Sequence, residues 1–554
     1  MLGQSAISEL PIAGAREWAI SYSGLTVTDV KIGTATITMY ASTHPFISMS
    51  GDDPANQPFP GTMKRTIRID RSLIGGGDIG RISRTYGEVE LINVAADYDG
   101  LLGNYGVDGK SIRLTVGDRD GSYNNFLPIF VGTMKGMHVD DTTLRLTLRD
   151  HVYRLDVPAQ PSVYAGTGEM NGDESLSGKR KPRAFGRVSN ITPALVIPGE
   201  LIYQVNDGPI QDITKVSDTG VPLSFDANYG SSAILRAATV VPGFYATCLA
   251  EGLFRLGGSP SGPVTADVKG DATGSYVETT AAIVRRILSV TDIEDPAEIE
   301  VYTFTQLDID QPAPVGYYLD QDSTKTVAEC VFDIMGGILG WGGFNSLGLF
   351  GVRRINAPRG IPADRYTRTD LIEINRAPMP DAFDPQPWRF RVSYQKNWTI
   401  LSQVLGVVTD EDPARAAYLI KPYKLATTSV SDGDFIRRNH ALARDPEPVE
   451  AYFALEADAQ AEADRRLDLF AGDYSFFTGM LKDRQFAHEL GEEINISYPR
   501  FGMDDGCDLL ILDLSDDSEK NTASFVAMGK PPVESASHVP SLDFSNPRNS
   551  LYIM

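Results

Sequence analysis

The chain has 554 residues, of which 42% are hydrophobic and 22% charged, and its formal net charge is −23. That length exceeds what one core organises and points to about three or four domains. The negative balance argues against a nucleic-acid binder, which needs a basic surface to displace counterions, and against docking on anionic lipid.

Residues 1–61 read as an N-terminal arm and a first strand. The opening, MLGQSAISELPIAGAREW, lacks a basic stretch followed by an apolar run, so no signal peptide is expected. Thr34–Tyr40 alternates apolar and polar residues and predicts a strand. The loop Gly51–Gly61 is long, rich in Pro, Asn and Gly, and without period, which suggests a contact loop.

Residues 62–157 carry the clearest strand pattern and predict a first β-barrel domain. Lys64–Asp70, Gly87–Val94, Ser111–Gly117, Phe126–Gly132 and Leu144–Arg149 are short runs separated by Gly, Asp and Asn. A GxGxxG occurs at Gly75, Gly77 and Gly80. Strand-like text follows it where a dinucleotide site needs a helix, so it reads as a loop.

Residues 158–186 read as a linker of Pro, Gly and Ser. It closes on the densest basic cluster of the chain: Lys179, Arg180, Lys181, Arg183 and Arg187. Two readings stay open for these five. One is a solvated linker end; the other is a contact with an acidic neighbour, including another copy of this chain.

Residues 187–275 predict a β-rich middle segment, with strands at Ala194–Ile197, Leu201–Val205, Asp212–Val216 and Ile234–Ala237. Asn206-Asp207-Gly208 is a turn signal. Residues 276–387 predict a helix–hairpin α/β unit. In Glu278–Val290 the apolar residues Ile283, Val284, Ile287 and Leu288 oppose Arg285 and Arg286. In Asp322–Gly340, Thr326 and Glu329 form a capping-box pattern, and Val327, Cys330, Val331, Ile334 and Ile338 share a face. Trp341–Arg354 predicts a hairpin turning near Asn345–Gly348.

Residues 388–530 predict a second β domain with one helix. WRFRVSYQKNWTI (388–400) reads as a single strand, and Asp458–Phe470 as a helix stopped by Gly472. Gly491–Pro499 and Leu509–Leu514 resume strand text. Residues 531–554 are polar and Pro-rich and read as an extended C-terminal arm. The predicted fold class is therefore mainly β with inserted α/β units: two barrel-like domains flanking a helix–hairpin middle.

No catalytic signature is present. His44, His138, His151, His440, His488 and His538 show no metal-binding spacing, and neither GxSxG nor a P-loop occurs. Cys248, Cys330 and Cys507 are scattered and read as buried free thiols, as in a reducing cytoplasm. Asp97 with Asp99, and Asp118 with Asp120, hint at Ca2+ loops, but both lack an EF-hand's further ligands and read as turns. No run approaches the length of a membrane span.

Several stretches together resemble the tail-tip, or baseplate, hub proteins of siphophages and related prophages. They are KPRAFGRVSNITPALV with LIYQVNDGPI, then WGGFNSLGLFGVRRI, RVSYQKNWT, EADRRLDLF and ELGEEINISYPRFGMDDG, across about residues 180–510. The block ending LRLTLRDHVYRLDVP resembles the first barrel of such hubs. The resemblance implies a structural virion protein at the distal end of a long non-contractile tail, assembled in the host cytoplasm. It implies an architecture like that of contractile-phage hubs, with three copies closing a channel through which DNA passes. The implied partners are the chain itself, a distal tail protein, a tape measure protein and central fibre or tip proteins, without membrane anchoring. An acidic wall would keep the DNA from sticking. No cofactor is expected, because the iron–sulfur cluster of some relatives needs clustered cysteines that this chain lacks. Two alternatives are a hexameric distal ring adaptor and a β-modular polysaccharide hydrolase.

Overall fold

A computed structural model describes residues 18–29, 36–65, 67–74, 83–100, 105–118, 120–381, 383–471 and 474–531. The GxGxxG glycines, Gly472 and nearly all of the C-terminal arm lie outside them.

The first sheet runs in the order Thr36–Ser42, Trp18–Asp29, Ser111–Asp118, Leu127–Val139, Thr143–Arg149, Glu88–Ile92, Met63–Arg65, all antiparallel. Period-2 alternation explains its one buried face. Leu144, Leu146 and Leu148 point inward onto Leu91, Leu114 and Phe130, while Arg145 and Arg149 point out. Trp18–Asp29 is thus a full strand of this sheet. The sequence hid it because its Ser, Thr and Gly content dilutes the apolar alternation.

The loop Gly51–Gly61 is not a free contact loop. Phe59 stacks on Phe46 at 4.4 Å and meets Tyr123 at 4.9 Å. Asp52 is 7% exposed and accepts the Tyr123 amide at 3.0 Å. The loop therefore packs on its own sheet, bridging two strands, Thr36–Ser42 and Met63–Arg65, that stand at opposite ends of it.

Lys64–Asp70, expected as one strand, is divided between two sheets. Met63–Arg65 pairs Glu88–Ile92 in the first sheet. Arg68–Ser72 pairs Ser83–Tyr86 and also the strand Met503–Asp517, in the register Ser72↔Asp513 to Arg68↔Asp517. One long hairpin thus has its base in the first sheet and its outer half in the last.

That last sheet is a curved ribbon ordered Asp364–Thr367, Glu493–Tyr498, Met503–Asp517, Thr522–Gly529, Ser475–Lys482, Leu371–Ala377. Its two end strands are consecutive in the chain and joined by the turn Arg368–Asp370, where Thr367 and Asp370 bond reciprocally. The sheet thus includes two strands from residues 364–377 beside those after residue 474.

Between the sheets, Arg183–Ile191, Val264–Asp271, Ile210–Asp218, Val221–Pro222 and Gly316–Leu319 form one sheet. Ala194–Ile197, Ile202–Gln204, Leu253–Leu256, Phe244–Cys248 and Ser224–Asn228 form another. Tyr203 and Phe254 stack at 5.1 Å within their shared core. Ile234–Ala237, expected as a strand, lies in the helix Ser232–Ala237, whose N-terminus is capped by the Ser231 hydroxyl. The linker packs too: Tyr164 is 1% exposed and donates to Gln204 at 2.5 Å.

Helices Thr280–Leu288, Val301–Asp310 and Val327–Gly336 form the helical unit with the hairpin Gly340–Phe344/Phe350–Arg354. The expected capping box of Thr326 and Glu329 is formed. Residues 388–400 hold only the short strand Arg391–Tyr394, because Gln395 takes a left-handed φ of 49° that breaks the extended run. Helix Glu456–Ala471 packs on that strand's sheet and on the helical unit. Among the described residues, no helix is long and apolar enough to cross a membrane.

Candidate functional site

The basic cluster at the linker's end is engaged within the chain. Lys179 pairs Asp322 at 3.1 Å and Arg187 pairs Glu278 at 2.8 Å. Arg180 donates to the Gln160 carbonyl at 2.6 Å. Lys181 lies 3.9 Å from Asp207 and over the Tyr164 ring. Arg183 is buried, donates to the Ala159 carbonyl at 3.0 Å and covers Phe185. These contacts hold the cluster against its own chain, and the Lys179 and Arg187 side chains remain 41% exposed. The sequence showed the charges but not the acids that approach them from remote positions.

The most densely charged interior lies elsewhere, where three units meet. The long hairpin delivers Arg71, 3% exposed, into the last sheet. Its guanidinium reaches Glu489 at 2.5 Å, donates to the His488 carbonyl at 3.2 Å and pairs with Asp516. Glu489 in turn accepts the Ser346 amide at 3.2 Å and hydroxyl at 3.0 Å. Ser346 sits at the tip of the expected hairpin, and its carbonyl accepts the Val131 amide of the first sheet at 2.8 Å. Around this centre, Arg353 pairs Glu300 at 3.2 Å, and His488 meets the Tyr366 hydroxyl at 2.6 Å.

The electrostatics follow from who shares Arg71. Burial opposes ionisation of Glu489, but Arg71, Arg84 and Arg353 outweigh it and hold the carboxyl at about 2. Burial raises the Asp516 carboxyl above its ordinary value; Arg71 counters only part of that. Glu300 is raised by burial as well, against the pull of Arg353. A joint of this kind disfavours other relative placements of the units, since any shift strands a desolvated charge.

A second buried network braces the helical unit. The Glu462 carboxylate is shared by Arg354 at 3.1 Å, Arg465 at 2.7 Å and Arg466 at 2.8 Å. Arg466 also donates to the carbonyls of Gly336 and Gly337, both at 3.1 Å, where helix Val327–Gly336 ends. The sequence singled out the apolar stripe of Asp458–Phe470 and passed over these charges, whose partners Arg354, Gly336 and Gly337 come from remote positions.

The remaining sequence candidates behave as structure. Cys248, Cys330 and Cys507 are buried free thiols, and burial pushes Cys330 and Cys507 up to about 11. Asp118 accepts the Asp120 amide at 3.1 Å, and Asp99 accepts from Asn93 at 2.8 Å, as turn residues do. Among the described residues, no group of three His, Cys, Asp or Glu is placed to hold a metal ion.

No protein-family model matches the sequence, and no curated protein matches it either. Among solved structures, the fold is similar to a tail protein of Neisseria meningitidis at 8% identity, over 93% of this chain and 96% of that one, with a TM-score of 0.39. A chain of the native gene transfer agent virion is similar at 13% identity, over 65% of this chain and 87% of that one, with a TM-score of 0.39. A 43 kDa tail protein of a Shewanella oneidensis prophage is similar at 9% identity, over 92% and 98%, with a TM-score of 0.35.

Proposed function

We propose that this chain is a structural protein of a phage-type tail, a tip hub that surrounds the tail channel as a homotrimer and joins the tube end to the central fibre. The observation that carries the reading is where the hub-like stretches fall. Trp341–Ile355 supplies the Ser346 tip and Arg353, and Glu489–Gly506 opens on Glu489, so two of them meet at one buried joint. A third, Glu462–Phe470, clamps the same hairpin through Glu462 and Arg354. Three of the stretches that resemble hub proteins thus contribute to the joints between the last sheet, the first sheet and the helical unit. A hub must hold that geometry while its neighbours pull on it.

In this role the chain works with copies of itself, a distal tail protein, a tape measure protein and tip proteins, and its acidity keeps passing DNA off the wall. Of the basic cluster, Lys179 and Arg187 keep exposed charge for a neighbouring subunit; Arg183 serves the interior. Symmetry-resolved imaging of the native particle tests the assignment. The expected result is three copies around the channel at the distal end of the tail. A six-fold ring, or density away from the tail, overturns it.

A further inference from the structure

The loop that packs on the first sheet presents an apolar rim to solvent. Ile47 is 68% exposed and Met49 50%, two positions apart and so on one side of an extended segment. From Pro45 to Gly51 the rim carries no charged residue. It is also fixed in place: Phe46 stacks on Phe59, and the buried Asp52 accepts the Met49 amide at 2.6 Å. A projection ordered beforehand loses little further freedom on contact. Its main chain is open on one side. Phe46–Ile47 pairs Pro58–Phe59, and the Ser48 amide donates to the Gln57 carbonyl at 3.0 Å. Bonded pairs alternate along an antiparallel ladder, so Ile47 turns its N–H and C=O away from that partner strand.

A cleft of about 330 Å3 between the first unit and the helical unit has the complementary features. Val152 and Leu155 line one side, Val331 and Met335 of helix Val327–Gly336 another, and Gly342 of the hairpin a third. Among the described residues, Arg84 and Asp150 are its only charged lining, and their charges oppose. Asp150 is already engaged by the Val152 amide and the Tyr86 hydroxyl, both at 3.2 Å. Arg84 lies 3.9 Å from it with a side chain only 10% exposed, and its Nε and Nη1 have no hydrogen-bond partner.

Gly342 marks an open strand edge. The hairpin bonds at Leu339 with Ile355 and at Asn345 with Leu349, so Gly342 and Val352 form a pair whose amides turn outward. The Val352 amide does so on the far edge, where it donates to the Thr303 hydroxyl at 3.1 Å. Gly342 turns to the other edge, where no partner meets its amide among the described residues. Val331 covers one face of the hairpin at Gly342, and Gly491 meets Trp341 on the other, which leaves the cleft along this edge.

Charge selects the occupant. Copies of a chain with a net charge of −23 repel, so they meet where neither surface carries net charge. We infer that the rim Pro45–Gly51 of one copy enters this cleft on the next copy. The Ile47 main chain pairs with Gly342 as an added strand, and Ile47 and Met49 lie against Val152 and Met335. Main-chain carbonyls of the rim then offer acceptors to Arg84. Rim and cleft are different surfaces, so the contact is head-to-tail, the kind from which rings are built. The inference rests on the self-association proposed above and not on the chain's place in a tail.

The test mixes full chains carrying Ile47→Cys with full chains carrying Val152→Cys under mild oxidation, so that any disulfide between the two joins separate copies. The three native cysteines are buried and do not compete. The linked pair is expected to form about tenfold faster than in either variant alone, or than in a mixture of Ile47→Cys with Ile372→Cys, an exposed position on the last sheet's end strand. Adding the exposed change Met49→Glu to the Ile47→Cys chain should remove most of that advantage while circular dichroism stays native. Trapping no faster than with Ile372→Cys, or unaffected by Met49→Glu, overturns the contact. Light scattering on the same samples separates the causes: oligomers without the crosslink overturn this contact alone, and a chain that stays monomeric overturns the self-association with it.

Discussion

Replacing Arg71 with Met removes the cation at the centre of the three-way joint while keeping most of the side-chain volume. The wild-type guanidinium serves Glu489, Asp516 and the His488 carbonyl, at positions no more than 5% exposed on either side. Without it, Asp516 keeps the Phe486 amide at 2.8 Å, and Glu489 keeps Ser346 and the flanking charges of Arg84 and Arg353. Removing one partner of a buried pair costs about 3–5 kcal/mol, because the stranded charge stays desolvated. Trp341 is a natural reporter, since its ring packs against Gly491 beside Glu489. In a background where Trp18, Trp388 and Trp398 are Phe, urea unfolding of Arg71→Met followed by Trp341 fluorescence should move the midpoint down by roughly 1 M or more, for a slope of about 3 kcal/mol per M. A multi-unit chain is not expected to unfold in one step, so the comparison is of this transition alone. Adding Asp516→Asn should restore part of the loss, because the stranded charge is then gone. A shift below about 0.3 M, or no recovery in the double variant, refutes the claim that Arg71 locks the units.

Acid should act on the joint through Glu489. Its folded-state pKa is depressed from 4.5 to about 2, so its stabilisation is complete above pH 4.5 and is lost as pH falls toward 2. The contribution is on the order of 3 kcal/mol. Asp516 runs the other way, since its raised pKa means that protonation relieves a cost. Glu489→Gln should therefore flatten the stability loss between about pH 4.5 and 2 in acid titrations followed by near-UV circular dichroism; an unchanged profile refutes the assignment. Glu462→Gln leaves Arg354, Arg465 and Arg466 facing one another and should cost about 3–5 kcal/mol in thermal unfolding, against less than about 1 kcal/mol if those guanidiniums reach water. Gly186→Ala should prevent recovery of folded protein, because a Cβ there would lie 1.9 Å from the Val315 carbonyl oxygen at a φ of +64°, whereas Gly136→Ala, with open space around it, should purify normally. Charge reversal at Lys179 and Arg187 should impair particle assembly while circular dichroism of the isolated chain stays native; normal assembly refutes a subunit contact there.

Much of the fold was legible in local pattern. Leu144, Leu146 and Leu148 alternate because one face of a strand is buried, and Thr326 with Glu329 announces a helix start because the first amides need acceptors. The hairpin Trp341–Arg354 and the helix over Asp458–Phe470 were readable for the same reason, as was the mainly β class. These signals lie within a few residues, and so does the physics that produces them.

What the sequence could not carry was the pairing of remote segments. Nothing around Lys64–Asp70 says that the strand changes sheets after Arg65, since that choice rests on a partner at Asp513–Asp517, more than four hundred residues away. Arg71, Glu489 and Asp516 each read as ordinary surface charges in their own neighbourhoods. They become a joint only when the hairpin crosses to the last sheet and water is excluded, for only then does each charge depend on the others. The conspicuous cluster from Lys179 to Arg187 shows the converse, because its density along the chain was visible while the acids Asp322, Asp207 and Glu278 that meet it were not. Local sequence set the elements through short-range hydrogen bonding and side-chain period; long-range packing decided which charges were desolvated together, and so where the units are held.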